Sequence, residues 1–137
     1  MAAVFVDTNI LLYSASNLPA ERKKSVEARR IVKEENLALS AQVLQEFYWL
    51  STRPNKLALT HEEAVAFIET WKMFPVQSIS LGIVEDALFL CHKFHISYWD
   101  AAIVAAARHM NCHTLYSEDL GDGQDYDGVV VVNPFSR

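Results

Sequence analysis

Cysteine is scarce. The two in the chain, Cys91 and Cys112, cannot build the disulfide framework of a small secreted scaffold, and free thiols in a reducing cytoplasm are the expectation. Glycine and proline number four each and nowhere gather into a Pro/Gly/Ser linker. With no internal repeat or low-complexity tract either, one continuous domain over 1–137 is expected, in keeping with roughly 150 residues per domain. Long apolar runs are missing too: nothing approaches the ~18 uninterrupted apolar residues of a membrane span. The start, Met1 to Asp7, lacks a basic segment and meets an acid within its first apolar run, which argues against a secretory signal. Basic charge is also in short supply. Lys and Arg total 12 against 17 Asp and Glu, a net charge of −5, and such a balance weakens non-specific affinity for nucleic acid because phosphate binding rests on lysine and arginine.

What is present is an ordinary globular composition, 51% hydrophobic and 21% charged, in a chain long enough to bury a core without staples. Ala3 to Val6 reads as a buried strand ending at Asp7, with a short helix following at once. Glu21 to Glu35 reads as a charged amphipathic helix with Val26, Ile31 and Val32 on its inner face. Leu37 to Leu39 is a second strand, after which Ser40 caps a helix running to about Leu50. Thr60 with Glu63 forms a capping box that opens a helix through roughly Met73. Val76 to Ile79 is a third strand and Ile83 to about Phe94 a further helix. Ser97-Tyr-Trp-Asp100 opens an alanine-rich helix to about Met110. Thr114 to Tyr116 and Val129 to Val132 are the last two strands, separated by an acidic, Gly-rich loop. Strands alternating with helices predict a single α/β domain, a central parallel sheet of about five strands flanked by helices. Ligands bind such sheets at the carboxyl ends of the strands, where Asp7 and Asp119 both fall.

Polar groups in apolar settings are the informative ones. On a helical wheel at ~100° per residue, Glu46 lies beside Val43, Phe47 and Leu50 with Trp49 on its other flank, while Gln42 and Gln45 lie further round, toward the opposite side. Asp100 shares a face with Ile103, Val104 and Ala107, the face an alanine-rich helix would press onto a sheet. Each acid also has a plainer reading. Asp7 can cap the helix that starts at Thr8, and Asp100 can be the return partner of Ser97 in a capping box. Glu46 can pair with an arginine, and Asp119 sits in a loop with Glu118, Asp122, Asp125 and Asp127 where a solvated turn is the usual meaning. Taken together they read differently. Two acids follow strands and two sit on helices among apolar residues, so a fold that brings those ends to one rim would gather four carboxylates. Like charges so placed must titrate upward or share cations. Oxygen-only ligands suit Mg²⁺ or Mn²⁺, and such a site can orient and acidify a water for in-line displacement at phosphorus.

At this point the residues match a known family. The chain resembles PIN-domain nucleases, most closely the VapC toxins of prokaryotic toxin–antitoxin pairs, over nearly its whole length. The resemblance rests on Val6-Asp7-Thr8-Asn9-Ile10-Leu11, Leu44-Gln45-Glu46-Phe47, Trp99-Asp100-Ala101-Ala102-Ile103, Leu115-Tyr116-Ser117-Glu118-Asp119 and the closing Val132-Asn133-Pro134-Phe135. It implies that Asp7, Glu46 and Asp100 are the three acidic positions the family uses for metal and catalysis, and that Asp119 is the fourth, more variable one, with Asp122 close enough to compete for that place. It implies that Thr8, Asn9 and Ser117 support those acids by hydrogen bonding. It further implies an endoribonuclease dependent on Mg²⁺ or Mn²⁺, a homodimer, an RNA substrate, a VapB-type antitoxin as partner and no membrane. Arg22, Lys23, Lys24, Arg29, Arg30 and Lys33 hold half of the chain's basic residues in one short stretch. They are candidate contacts to RNA or antitoxin, although a charge run on a helix is ordinarily a solvated face. The same resemblance leaves open a housekeeping RNA-processing enzyme, or a domain that has lost catalysis and only binds RNA or protein.

Other signals carry less. Cys91-His92 and Cys112-His113 do not have the spacing of a zinc finger or ribbon, and a core thiol is the expected role of Cys91. His92 and His95 share a helical face without forming a recognisable ligand pair. Tyr48, Trp49, Trp71, Phe74, Tyr98 and Trp99 are read as core or dimer aromatics before being read as platforms for bases.

Overall fold

A computed structural model describes residues 3–136; Met1, Ala2 and Arg137 of the expected single-domain span lie outside the described residues. The order of elements is β1 (Val4–Val6), α1 (Thr8–Ala15), a 3₁₀ turn (Pro19–Glu21), α2 (Arg22–Glu34), β2 (Leu37–Ser40), α3 (Ala41–Ser51), α4 (His61–Trp71), β3 (Val76–Gln77), α5 (Leu81–Phe94), α6 (Tyr98–His109), β4 (Thr114–Tyr116), β5 (Asp125–Tyr126) and β6 (Val129–Val132). The caps follow the sequence. Ser40 accepts from the Val43 N–H at 3.3 Å, Thr60 and Glu63 complete their reciprocal box, and the Ser97 hydroxyl opens α6.

The strands form one six-stranded sheet in the order β3-β2-β1-β4-β6-β5. Every pairing is parallel except β5 with β6. The antiparallel strand corrects the expected five-strand count: it lies inside what reads as an acidic loop. Asp127 and Gly128 connect β5 to β6 with φ of 52° and 99°, and positive φ at both centres of a two-residue turn is what a tight hairpin requires. The edge strand β3 is shorter than expected, stopping at Gln77.

The core is layered on both faces of the sheet. The alanine face of α6, fully buried from Ala101 to Ala107, packs against β2, β4 and β6, and α5 packs on α6. Small side chains let a helix backbone approach a sheet closely, which is why this helix can be alanine-rich. On α3 and α4, Phe47, Phe67 and Trp71 interlock, with Phe47 and Trp71 edge to face at 4.6 Å between centroids. The inner face of α2 is Ser25, Ala28 and Ile31. Val26, expected inside, is 60% exposed, because small residues one helical step away let α2 lie close on α1. Among the described residues no helix is long and apolar enough to cross a membrane.

Candidate active site

The chain reverses its direction of travel across the sheet at β1, with β2 and β3 to one side and β4, β6 and β5 to the other. In open α/β sheets the crevice at such a point, beyond the carboxyl ends of the strands, is where ligands bind. Asp7 stands directly after β1. Its N–H donates to the Tyr116 carbonyl at 3.0 Å, which extends the β1–β4 ladder by one residue and sets Asp7 beside Ser117.

Both oxygens of Asp7 are engaged by neutral donors. Oδ1 accepts from the Thr8 N–H at 2.7 Å and Oδ2 from the Ser117 hydroxyl at 2.7 Å. Asp7 is therefore the N-cap of α1, as its plainer reading holds, and it also lines the cleft described below. At 5% exposure, burial pushes its pKa up from 3.8 to about 7. The hydrogen bonds from Ser117 and Thr8 oppose that rise, and the carboxylates of Asp119 and Glu46 add to it.

Glu46 is half-buried on α3. Its partners are the Thr8 hydroxyl, donating to Oε1 at 2.6 Å, and the Gln42 amide, donating to Oε2 at 3.2 Å; among the described residues no arginine of the alternative reading holds it. Asp100 lies in the first turn of α6, where its N–H donates to the Ser97 hydroxyl at 3.0 Å. Burial raises the pKa of its carboxyl, the Ser97 hydroxyl acts against this, and Asp119 and Glu46 raise it further. Asp119 is exposed, two residues beyond Ser117. Its N–H donates to the Ser117 hydroxyl at 3.1 Å, and its Oδ2 accepts from the Asn9 amide at 3.1 Å. Asp122 faces elsewhere, accepting from the Asn133 N–H at 2.9 Å and the Ser136 hydroxyl at 3.4 Å.

Asp7, Glu46, Asp100 and Asp119 line one open cleft of about 520 Å³, together with Thr8, Asn9, Gln45, Trp49 and Trp99. Among the described residues lining it there is no lysine, arginine or histidine. Ser117 is fully buried beside the cleft, joining Asp7 to the Asp119 backbone. The Asn9 amide oxygen is buried without a hydrogen-bond partner. What such an arrangement offers is oxygen donors, anionic and uncompensated.

The basic stretch on α2 divides. Lys24 reaches Glu118 at 2.8 Å, and Glu118 also accepts from the Tyr13 hydroxyl, so the strand-exit segment carrying Asp119 is tied to α1 and α2. Arg29 donates to the carbonyls of Ser14 and Ser16, and Arg30 pairs with Glu27 and Glu34. Arg22, Lys23 and Lys33 are exposed. Gln42 was placed on the outer side of its helix by the sequence pattern. It is buried instead, and its amide also donates to the Trp99 carbonyl at 3.1 Å, joining α3 to the start of α6. Its position four residues before Glu46 is the signal that could have found it, since i and i+4 share a helical face.

The comparisons with known proteins agree with this architecture. The family model described as PIN domain matches residues 4–121. Among solved structures, a toxin–antitoxin complex from Klebsiella pneumoniae superposes with a TM-score of 0.70 at 22% identity, covering 97% of this chain and 98% of that one. A VapC toxin of Mycobacterium tuberculosis, described as cleaving the sarcin–ricin loop, superposes with a TM-score of 0.69 at 22% identity, covering 85% and 90%. A DNA-bound VapBC complex from Salmonella typhimurium gives 0.66 at 14% identity, covering 96% and 97%. At these identities the likeness is one of fold. A comparison with curated protein sequences finds no match.

Proposed function

The chain belongs to the PIN-domain family, and from that premise we propose that it is a Mg²⁺- or Mn²⁺-dependent endoribonuclease acting as the toxin of a toxin–antitoxin pair. Asp7, Glu46, Asp100 and Asp119 are its metal-holding acids. The observation that carries this reading is Asp7: a carboxyl 5% exposed, its pKa pushed up to about 7, sharing a cleft with three other acids and, among the described residues, with no cationic side chain. A buried charge in that state costs several kcal/mol unless it is neutralised.

The donor set fits a hard divalent cation, being all oxygen. Among the described residues no three acids, histidines or cysteines already stand together as a ready-made cage. An all-oxygen set is unlike the nitrogen and sulfur ligands usual for Zn²⁺, whereas Mg²⁺ retains several waters and shares its coordination with substrate phosphate. The unanswered Asn9 oxygen adds a further acceptor beside the acids. When bound, the cation supplies an acidified water and neutralises charge developing on the phosphoryl oxygens.

The chain's own groups hold the arrangement in place. Ser117 and the Thr8 N–H fix the two Asp7 oxygens, the Thr8 hydroxyl and Gln42 fix those of Glu46, and Asn9 restrains the exposed Asp119. Such supporting partners are worth about 10- to 100-fold in metal affinity or activity. The antitoxin partner, of the VapB type, is supported by the toxin–antitoxin complexes among the similar structures, and the homodimer by the family resemblance.

The test is incubation of the EDTA-treated, purified protein with total RNA, with and without Mg²⁺, followed by mapping of the cut ends. Metal-restored cleavage that is absent from Asp100→Asn protein is expected. Cleavage in EDTA, or full cleavage by Asp100→Asn, would overturn the reading.

A further inference from the structure

Most large apolar side chains left in solvent, such as Met73, Leu81, Leu88 and Phe89, stand away from the acids; Trp49, 59% exposed, and Trp99, 65% exposed, do not. Both line the carboxylate cleft. Each is close in sequence to one of its acids: Trp49 follows Glu46 by three residues on α3, and Trp99 directly precedes Asp100 on α6. The Gln42 amide donates to both Glu46 and the Trp99 backbone, so the two ring-bearing segments are fixed relative to each other and to the acids. Trp49 is itself held in place. The Arg53 guanidinium carbon lies 3.7 Å from its ring centroid, and Arg53 Nε donates to the Trp49 carbonyl at 3.1 Å. Tyr98 meets Trp99 edge to face, with 5.1 Å between centroids.

Resting on the nuclease reading, we infer that Trp49 and Trp99 are stacking platforms for unpaired nucleobases on either side of the phosphate presented to the acids, with Arg53 fixing Trp49 and offering a positive charge at the cleft's edge. A cleft lined by four acids, in a protein of net charge −5, gains little from the electrostatic attraction that anchors most nucleic-acid binding. Stacking supplies affinity that does not depend on charge, and it tolerates any base because every base has a π face. In a duplex those faces are covered by neighbouring base pairs, whereas loops and single strands splay them out. An arginine on one face of an indole leaves the other face for a base and adds a cation–π contact.

The test uses Trp49→Ala, Trp99→Ala and the corresponding Phe variants in the full chain. Binding of a short oligouridylate, and of an abasic ribose–phosphate oligomer of equal length, is followed by fluorescence anisotropy in EDTA; cleavage of the oligouridylate is followed separately in Mg²⁺. Each Ala variant is expected to weaken oligouridylate binding about tenfold and to raise KM with little change in kcat. The Phe variants should restore most of the loss, and the abasic oligomer should bind weakly to every protein alike. Ala variants that bind and cut like wild type overturn the platform while leaving the nuclease reading intact, as does wild-type protein that binds oligouridylate no better than the abasic oligomer. Lost RNA binding that coincides with dissociation of a dimer in sedimentation makes the rings a contact between copies, and also overturns it. Tryptophan-dependent binding by a wild-type protein that cuts no RNA in Mg²⁺ supports the platform and sinks the nuclease reading instead.

Discussion

Asp86 and Asp7 are the same side chain handled in opposite ways. Asp86, on α5, is gripped through both oxygens by Arg108 Nη1 on α6, at 2.6 and 2.8 Å, with His109 Nε2 at 3.7 Å. Asp7 is more deeply buried, yet receives only two neutral hydrogen bonds and stands among other acids. Helix-to-helix pairing explains the first, since a half-buried carboxylate is tolerated when a fixed guanidinium answers it. Capping α1 accounts for the Thr8 bond of the second, but not for its place among three other acids in a cleft whose described lining holds no cation. A carboxyl so deeply buried among other acids, its pKa raised by burial, is the kind of group that clusters at functional sites.

That contrast can be broken by experiment. The largest effect is expected in catalysis: Asp7→Asn should lower RNA cleavage on the order of a thousandfold, whereas Asp86→Asn should leave the rate per folded molecule unchanged. Equal losses in the two variants would erase the distinction. Next come opposite signs in stability. Because folded Asp7 holds its proton with a pKa of about 7 against 3.8 for the ordinary carboxyl, the metal-free native state binds more protons than the unfolded chain between those values. Stability should therefore fall as pH rises from 4 to 7 in EDTA. Asp7→Asn should flatten that slope, leaving the contribution of Asp100, whose pKa burial also raises, and raise stability at pH 8 by about 2–4 kcal/mol. Asp86→Asn, which leaves Arg108 without its carboxylate partner, should lower stability by about 1–3 kcal/mol. Urea melts at several pH values read both.

Ser117→Ala sharpens the comparison further. It removes a hydrogen bond that favours the charged form of Asp7, so cleavage should fall about 10- to 100-fold and the rate–pH profile should move to higher pH. An unmoved profile would separate Ser117 from Asp7. The smallest effect belongs to Lys24→Met. The pair with Glu118 is partly exposed, and its loss should cost less than about 1 kcal/mol in the same melts.

The legible parts of the fold were those written in short-range chemistry. Thr60 with Glu63, Ser40 and Ser97 mark helix starts because a side-chain oxygen three residues before an open N–H is a local event. The β5–β6 hairpin was equally local and was overlooked: Asp127-Gly128 between Tyr126 and Val129 is a strong turn signal, masked by the surrounding acids. Val26 misled for the opposite reason. Its hydrophobicity suggested the inside, but Ser25 and Ala28 won the inner face because close helix packing favours small side chains. The acids themselves were legible as oxygen donors out of place. Their supports were less so: Gln42 looked solvent-facing until α6 was set against it, and Trp49 and Trp99 looked like core until the cleft was seen to leave them in water.

By itself the sequence determined which residues carry oxygen donors, where the capped helices begin, and that strands and helices alternate. Those are properties of a few neighbouring residues. Only the tertiary structure decided that Ser117 reaches Asp7 and Asn9 reaches Asp119, each across 110 positions of chain. It also decided that Arg108 goes to Asp86 while the cleft acids receive no cation among the described residues. Burial and Coulomb interaction depend on separation in space, and the spatial neighbours of a strand end are chosen by the order of the sheet.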